Sequence, residues 1–175
     1  MKLKVLATWT LMFSFTLLST NSLAQTTKVT EEDEWVEEQA PPPPAFSKEH
    51  LIPIDLPLHM TVKVGADPNS IVVGTDGVVR YVLVITNTTG TTSALYEGIR
   101  CTTDEVKMYA RLGSSGTWTT LASPTWKPVS DNLPSGISLA FARQGGCLNR
   151  LATSKSEIIA ALTARVRVGP SMRGQ

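Results

Sequence analysis

Few residues in this chain could do chemistry. Cys101 and Cys147 are its only thiols, and His50 and His59 its only imidazoles. A metal site needs three or four converging ligands at close spacing. Neither H-x-x-x-H nor C-x-x-C occurs. No G-x-S-x-G raises a nucleophilic serine. Gly65, Gly74, Gly77 and Gly90 are scattered turn glycines, not a phosphate loop. Asp104 and Glu105 fall at a predicted hairpin tip, where acids commonly form the bend. The sequence thus nominates no catalytic residue, no metal ligand and no cofactor. What remains is a basic-aromatic group: Tyr96, Glu97, Arg100, Lys107, Tyr109 and Arg111. Guanidinium, ammonium and phenol groups on one face suit an anion or a protein partner. The plainer reading of the same residues is a solvated sheet face shielded by long side chains.

The elements that must position this group are strands. From Thr61 the pattern has period two, with turns every 8 to 12 residues, the rhythm of an antiparallel meander. Val78–Thr86 is the longest predicted strand. Val79, Tyr81, Leu83 and Ile85 line one face and Val78, Val82 and Val84 the other, which makes it central. Ser93–Cys101 and Val106–Leu112 form a hairpin with Thr103-Asp104 at its tip. That alignment sets Cys101 opposite Val106, Ile99 opposite Met108 and Leu95 opposite Leu112, an apolar face. It also sets Tyr96 opposite Arg111, and Arg100 opposite Lys107. Glu97 falls on the apolar face, where an unpaired carboxylate is costly, and Gly98 beside it would mark a bulge turning Glu97 outward.

Helices come late. Gly136–Gly145 is a short candidate, and Ser154–Arg165 a clearer one, opened by a Ser154/Glu157 capping box, with Ile158, Ile159, Leu162 and Val166 recurring at helical spacing. Phe46–Met60 is apolar but broken by Pro53 and Pro57, so it should run extended along the domain edge. The fold class is α+β: an antiparallel meander sheet of about five strands, one or two C-terminal helices and one disulfide.

The first 24 residues read as a secretory leader: Lys2 and Lys4, an uncharged apolar run from Val5 to Leu18, then Ser22-Leu23-Ala24 with cleavage after Ala24. The run is short of the roughly 20 residues a spanning helix needs. The mature chain has no transmembrane segment and works in the periplasm. There Cys101 and Cys147 are expected to form a disulfide pinning helix to sheet; reactive or metal-binding thiols are the alternative. Losing Lys2 and Lys4 takes the net charge from +1 to −1, against a nucleic-acid binder. Six acids cluster at 31–38, leaving the remainder of the mature chain at +5. Residues 25–45 read as a disordered acidic, proline-rich tail, 46–168 as a single α+β domain and 169–175 as a disordered C-terminus. Trp35, alone among the acids, is read as a loose surface contact. The alternative is an acidic-aromatic tail that docks on a basic partner, including the basic domain of its own chain.

PPPPAF at 41–46, LIPIDLP at 51–57, DGVVRYVLV at 76–84, YEGIRC at 96–101 and EVKMYAR at 105–111 occur in that order, followed by Trp126 and Cys147. With these motifs the chain resembles the cryptic neisserial protein family. The resemblance implies a small exported protein of proteobacteria with no assigned activity, and it supplies no catalytic residues. Other members are suspected lipoproteins, but no cysteine directly follows the apolar run here. Three functions fit. The first is a non-catalytic interaction or accessory protein of the cell envelope, its partner another envelope protein. The second is a small anion- or ligand-binding module using the basic-aromatic face. The third is a hydrolase with a dispersed site. Oligomeric state is not readable.

Overall fold

The computed structural model describes residues 35–130 and 135–167. The predicted leader with its expected cleavage site after Ala24, residues 25–34 of the predicted tail and the predicted disordered C-terminus from 169 lie outside the described residues.

One antiparallel sheet organises the chain. Its strands are β1 (Ile52–Ile54), β2 (Lys63–Ala66), β3 (Val72–Val73), β4 (Val78–Thr86), β5 (Thr92–Arg100), β6 (Glu105–Leu112), β7 (Trp118–Thr120) and β8 (Lys127–Pro128). The spatial order is β1-β2-β4-β5-β6-β7. β4, β5 and β6 form the long central meander. Each outer edge of that meander is shared by two short strands: β2 and β3 both pair with β4, and β7 and β8 both pair with β6. Among the described residues the sheet has eight strands but is six across, because β3 shares an edge with β2 and β8 with β7. β1 is an edge strand, and Pro53 within it is exposed, as a residue with no N–H to donate must be placed.

The sheet is apolar on both faces because both are covered. On one face Val79, Tyr81, Leu83, Ile99 and Cys101 pack against α1 (Ser135–Phe141) and α2 (Lys155–Arg167). Phe141 of α1 stacks on Tyr81 with ring centroids 3.9 Å apart. Ile158 and Leu162 of α2 are fully buried there. The capping box forms as expected: the Ser154 amide donates to Glu157 Oε2 at 3.0 Å and the Glu157 amide to Ser154 Oγ at 3.3 Å. A wide turn, Ala142–Gly146, joins the α1 end to Cys147, and Gly145 there has φ 144°. A Cβ at Gly145 would meet Ala161 Cβ at 2.7 Å, so glycine also permits the close approach of α2. The disulfide Cys101–Cys147 ties the end of β5 to this turn, with Cα atoms 5.6 Å apart.

The hairpin register differs from the predicted one. Ile99 faces Val106, Glu97 faces Met108 and Arg100 faces Glu105, while Tyr96 faces Ala110 and Leu95 faces Arg111. The pairs Cys101–Val106, Ile99–Met108, Leu95–Leu112, Tyr96–Arg111 and Arg100–Lys107 do not form. Two shifts are the cause: the turn takes in residues 101–104, which pairs Arg100 with Glu105 and moves the tip register by two, and beyond it the partner jumps from Ala110 to Met108 between Tyr96 and Glu97, leaving Tyr109 as a bulged extra residue on β6. Both Tyr109 and Ala110 then pack on the face away from the helices, with Val82, Val84, Ala94 and Tyr96. Gly98 is the residue under the bulge. A Cβ there would lie 2.9 Å from the Tyr109 ring and from Val78.

Candidate functional site

The face of the sheet away from the helices is covered by the chain itself. Residues 35–46 run across it as a strap, without joining the sheet's ladder. Part of the sequence predicted as a disordered tail, 35–45, is therefore placed on the domain, and the compact unit starts at Trp35. The +5 remainder provides an electrostatic reason, and specific side chains provide the geometry.

Glu37 is the central group. Its Oε2 accepts from Lys107 Nζ at 2.6 Å and from Trp126 Nε1 at 2.9 Å, and its Oε1 accepts from the Tyr109 hydroxyl at 2.8 Å. Lys107 and Tyr109 are two residues apart on β6 and so point to one face together, and the bulge adds Ala110 to that face beside Tyr109. Burial alone would push the Glu37 carboxyl up. The hydrogen bonds from Lys107, Tyr109 and Trp126 outweigh it and hold the group below the ordinary carboxylate range. The same contact with Glu37 adds to burial in pushing the Tyr109 phenol well above its usual value.

Trp35 and Glu38 flank this clasp. Trp35 Nε1 donates to the Asp76 carbonyl at 2.8 Å. Its ring lies 3.9 Å from the Arg100 guanidinium and meets Trp126 edge-on at 5.8 Å. The Glu38 amide donates to Asp76 Oδ2 at 3.0 Å, and its carbonyl accepts from Arg80 Nη2 at 2.9 Å. The Thr75 hydroxyl bonds the Glu38 carboxylate. Behind them Arg80 and Asp76 form a buried pair at 2.7 Å, their side chains 3 % and 1 % exposed. For Asp76, burial is again outweighed, here by Arg80 and the Val78 and Glu38 amides, and its pKa is lowered. Arg80 therefore both neutralises Asp76 and offers a donor to the strap backbone. Further along, Phe46 meets Trp118 edge-on at 6.0 Å.

The six residues singled out in the sequence divide accordingly. Lys107 and Tyr109 meet around Glu37. Arg100 stacks on Trp35. Tyr96 is buried beneath, 5.3 Å from the Tyr109 ring. Arg111 is exposed and lies between Ala110 and Leu112, both packed on the strap face, so it belongs to the opposite side. Glu97 is also on the opposite face and turns inward: the Tyr81 hydroxyl and Ser138 Oγ donate to its Oε2 at 3.2 Å and 2.7 Å. Sequence reasoning missed Glu37, Asp76, Arg80 and Trp126 as members of the site. Trp35, the aromatic inside an acid run, was the available signal for the strap. Both histidines are exposed, and among the described residues no three His, Cys, Asp or Glu side chains come together as a metal site. No helix among the described residues is long and apolar enough to cross a membrane.

These features define an α+β protein with helices on one sheet face and a peptide strap clasped to the other. The chain belongs to the CNP1-like family, which it matches over residues 30–163. The match takes in the whole strap as well as the sheet. No curated protein and no solved structure matches the chain.

Proposed function

We propose that this chain is an exported, non-catalytic interaction protein of the cell envelope, which binds a periplasmic partner through the strap face. This extends the resemblance to the cryptic neisserial proteins. One observation carries the reading: a carboxylate from an extended segment is held by a lysine, a phenol and an indole at once. Such a cradle is chemistry for recognising an acidic-aromatic peptide, and the chain's own strap is its occupant. The strap leaves space beside it. A cavity of about 540 Å3 lies between Pro41–Pro43 and Tyr96, Tyr109 and Thr120. Prolines over tyrosines are the pairing by which extended proline-rich segments are held, here within one chain.

The same cradle supports a narrower reading, a site for small carboxylates, with Glu37 standing in for the ligand. The two separate in one experiment. A labelled peptide of residues 35–46 is titrated into the full chain carrying Glu37→Gln, in which the strap is loosened, and acetate is titrated in parallel. Saturable peptide binding, lost when Lys107→Glu is added, supports the interaction reading. Competition by millimolar acetate alone supports the narrower one. Failure of both ligands to bind contradicts the assignment of this face. Export is checked by the N-terminal residue of protein from the envelope fraction, expected to be Gln25.

A further inference from the structure

The strap is held to its face in a way that a second copy of the chain can reproduce. It adds no strand to the sheet, and the disulfide and both helices lie on the other side. Lys107 and Tyr109 are fixed by the pairing of β6 with β5, which the strap does not touch. The join between strap and domain is slight as well. Residues 48–50 form an exposed turn, with a side-chain bond from the Glu49 amide to Ser47 Oγ at 3.2 Å. A strap swung away on this turn leaves a folded domain, an empty cradle and an arm whose charge matches it.

Two such copies are complementary. Each offers Trp35, Glu37 and the Glu38 backbone, and each has Arg100, Lys107 and Arg80 to receive them. We propose that two copies of this chain exchange straps, Glu37 of each being held by Lys107, Tyr109 and Trp126 of the other. Reciprocal exchange closes on a two-fold axis and leaves no strap and no face unfilled. Every clasp contact of the single chain recurs, so the cost of pairing is the lost free movement of one copy. Once one strap has crossed, the second crosses at the local concentration of a tethered arm, in the millimolar range. The fit of this occupant to the face is already visible within one chain. The inference rests on the strap face being a recognition surface, and it names the partner as a second copy.

The unaltered chain provides the test. A carbodiimide joins a carboxylate to an ammonium in contact with it as an amide, here Glu37 to Lys107 at 2.6 Å. Full chains grown on light and on heavy nitrogen are mixed in high salt, which loosens ionic contacts, then returned to low salt and cross-linked. Links within one chain carry a single isotope, whereas links between exchanged chains also join light to heavy. The expected result is light–heavy Glu37–Lys107 links in a species of dimer mass, at least tenfold more abundant at about 1 mM chain than at about 10 µM. Glu37–Lys107 links confined to one isotope at every concentration would overturn the exchange. So would a dimer whose light–heavy links never join Glu37 to Lys107. Binding of the strap peptide to the Glu37→Gln chain without light–heavy links sinks the exchange alone. Absence of peptide binding sinks the reading of the strap face, and the exchange with it.

Discussion

The two faces of the sheet each take a glutamate out of solvent, Glu37 partly and Glu97 fully, and they solve the same problem in opposite ways. Glu37 brings its charge to a lysine, a phenol and an indole and stays ionised. Glu97 has two neutral hydroxyls and is driven toward the protonated form. The cover differs as well. The helices are tied to the sheet by a covalent bond and by Phe141, Ile158 and Leu162 in the core. The strap contributes Ala40 and Phe46 as apolar contacts and otherwise relies on ionic and aromatic groups. A cover built mainly from charge can be released by pH, salt or a competitor. A cover built from core side chains cannot be released without unfolding. The strap face is therefore the one suited to exchange.

The largest effect that could break this contrast is covalent. Replacing both Cys101 and Cys147 by alanine should lower stability by about 4 kcal/mol on the chain-entropy account of a loop of this size, read as a shift in denaturant midpoint. Hydrogen exchange in α1 and α2 should rise toward the global rate while the strap remains docked. Strap release at the same denaturant concentration would mean that the faces are not separate.

Next in size is the pH response, which has opposite sign on the two faces. Glu97 is raised from 4.5 to about 7 in the folded chain. Its stabilising share is complete below about pH 4.5 and is lost as pH rises through about 7. The loss is on the order of 3 kcal/mol across that window. Glu37 and Asp76 are lowered instead, so their share is present above the unfolded values of 4.5 and 3.8 and is lost as pH falls through the folded ones. Denaturation profiles with and without Glu97→Gln should differ by a slope confined to pH 4.5–7. A parallel pair of profiles would remove the distinction between the faces.

The smallest expected effect is the most local. Glu37→Gln keeps the shape of the clasp but removes its charge. Strap opening, followed as protease cleavage within residues 35–45, should become easier by about 1–2 kcal/mol, with the unfolding midpoint nearly unchanged. A comparable drop in global stability would make the strap part of the core.

Much of the fold was legible from pattern. β4 is predicted to its exact ends, and its two apolar faces correctly mark it as a central strand. The capping box marks the start of α2. The disulfide follows from two cysteines in a chain read as exported. The site was less legible, because its parts are contributed from far apart in the sequence. One extra residue, Tyr109, shifts the parity of β6, so strict alternation keeps Arg111 with Lys107 when it belongs to the other side. Gly98 did point to a bulge, but the bulge is on the strand across from it, and Glu97 turns in rather than out. Six acids in a row of eight read as repulsion and solvation. That reading misses Glu37, whose three donors come 70, 72 and 89 residues later.

The clasp between Glu37 and Lys107 is the claim on which the strap face depends. A double-mutant cycle with Glu37→Gln and Lys107→Met, read on the free energy of strap opening by hydrogen exchange at residues 35–40, measures it directly. The account predicts a coupling of about 1 kcal/mol or more at pH 7, fading as the pH falls through the Glu37 titration. Additive single effects, with no coupling at any pH, would contradict it.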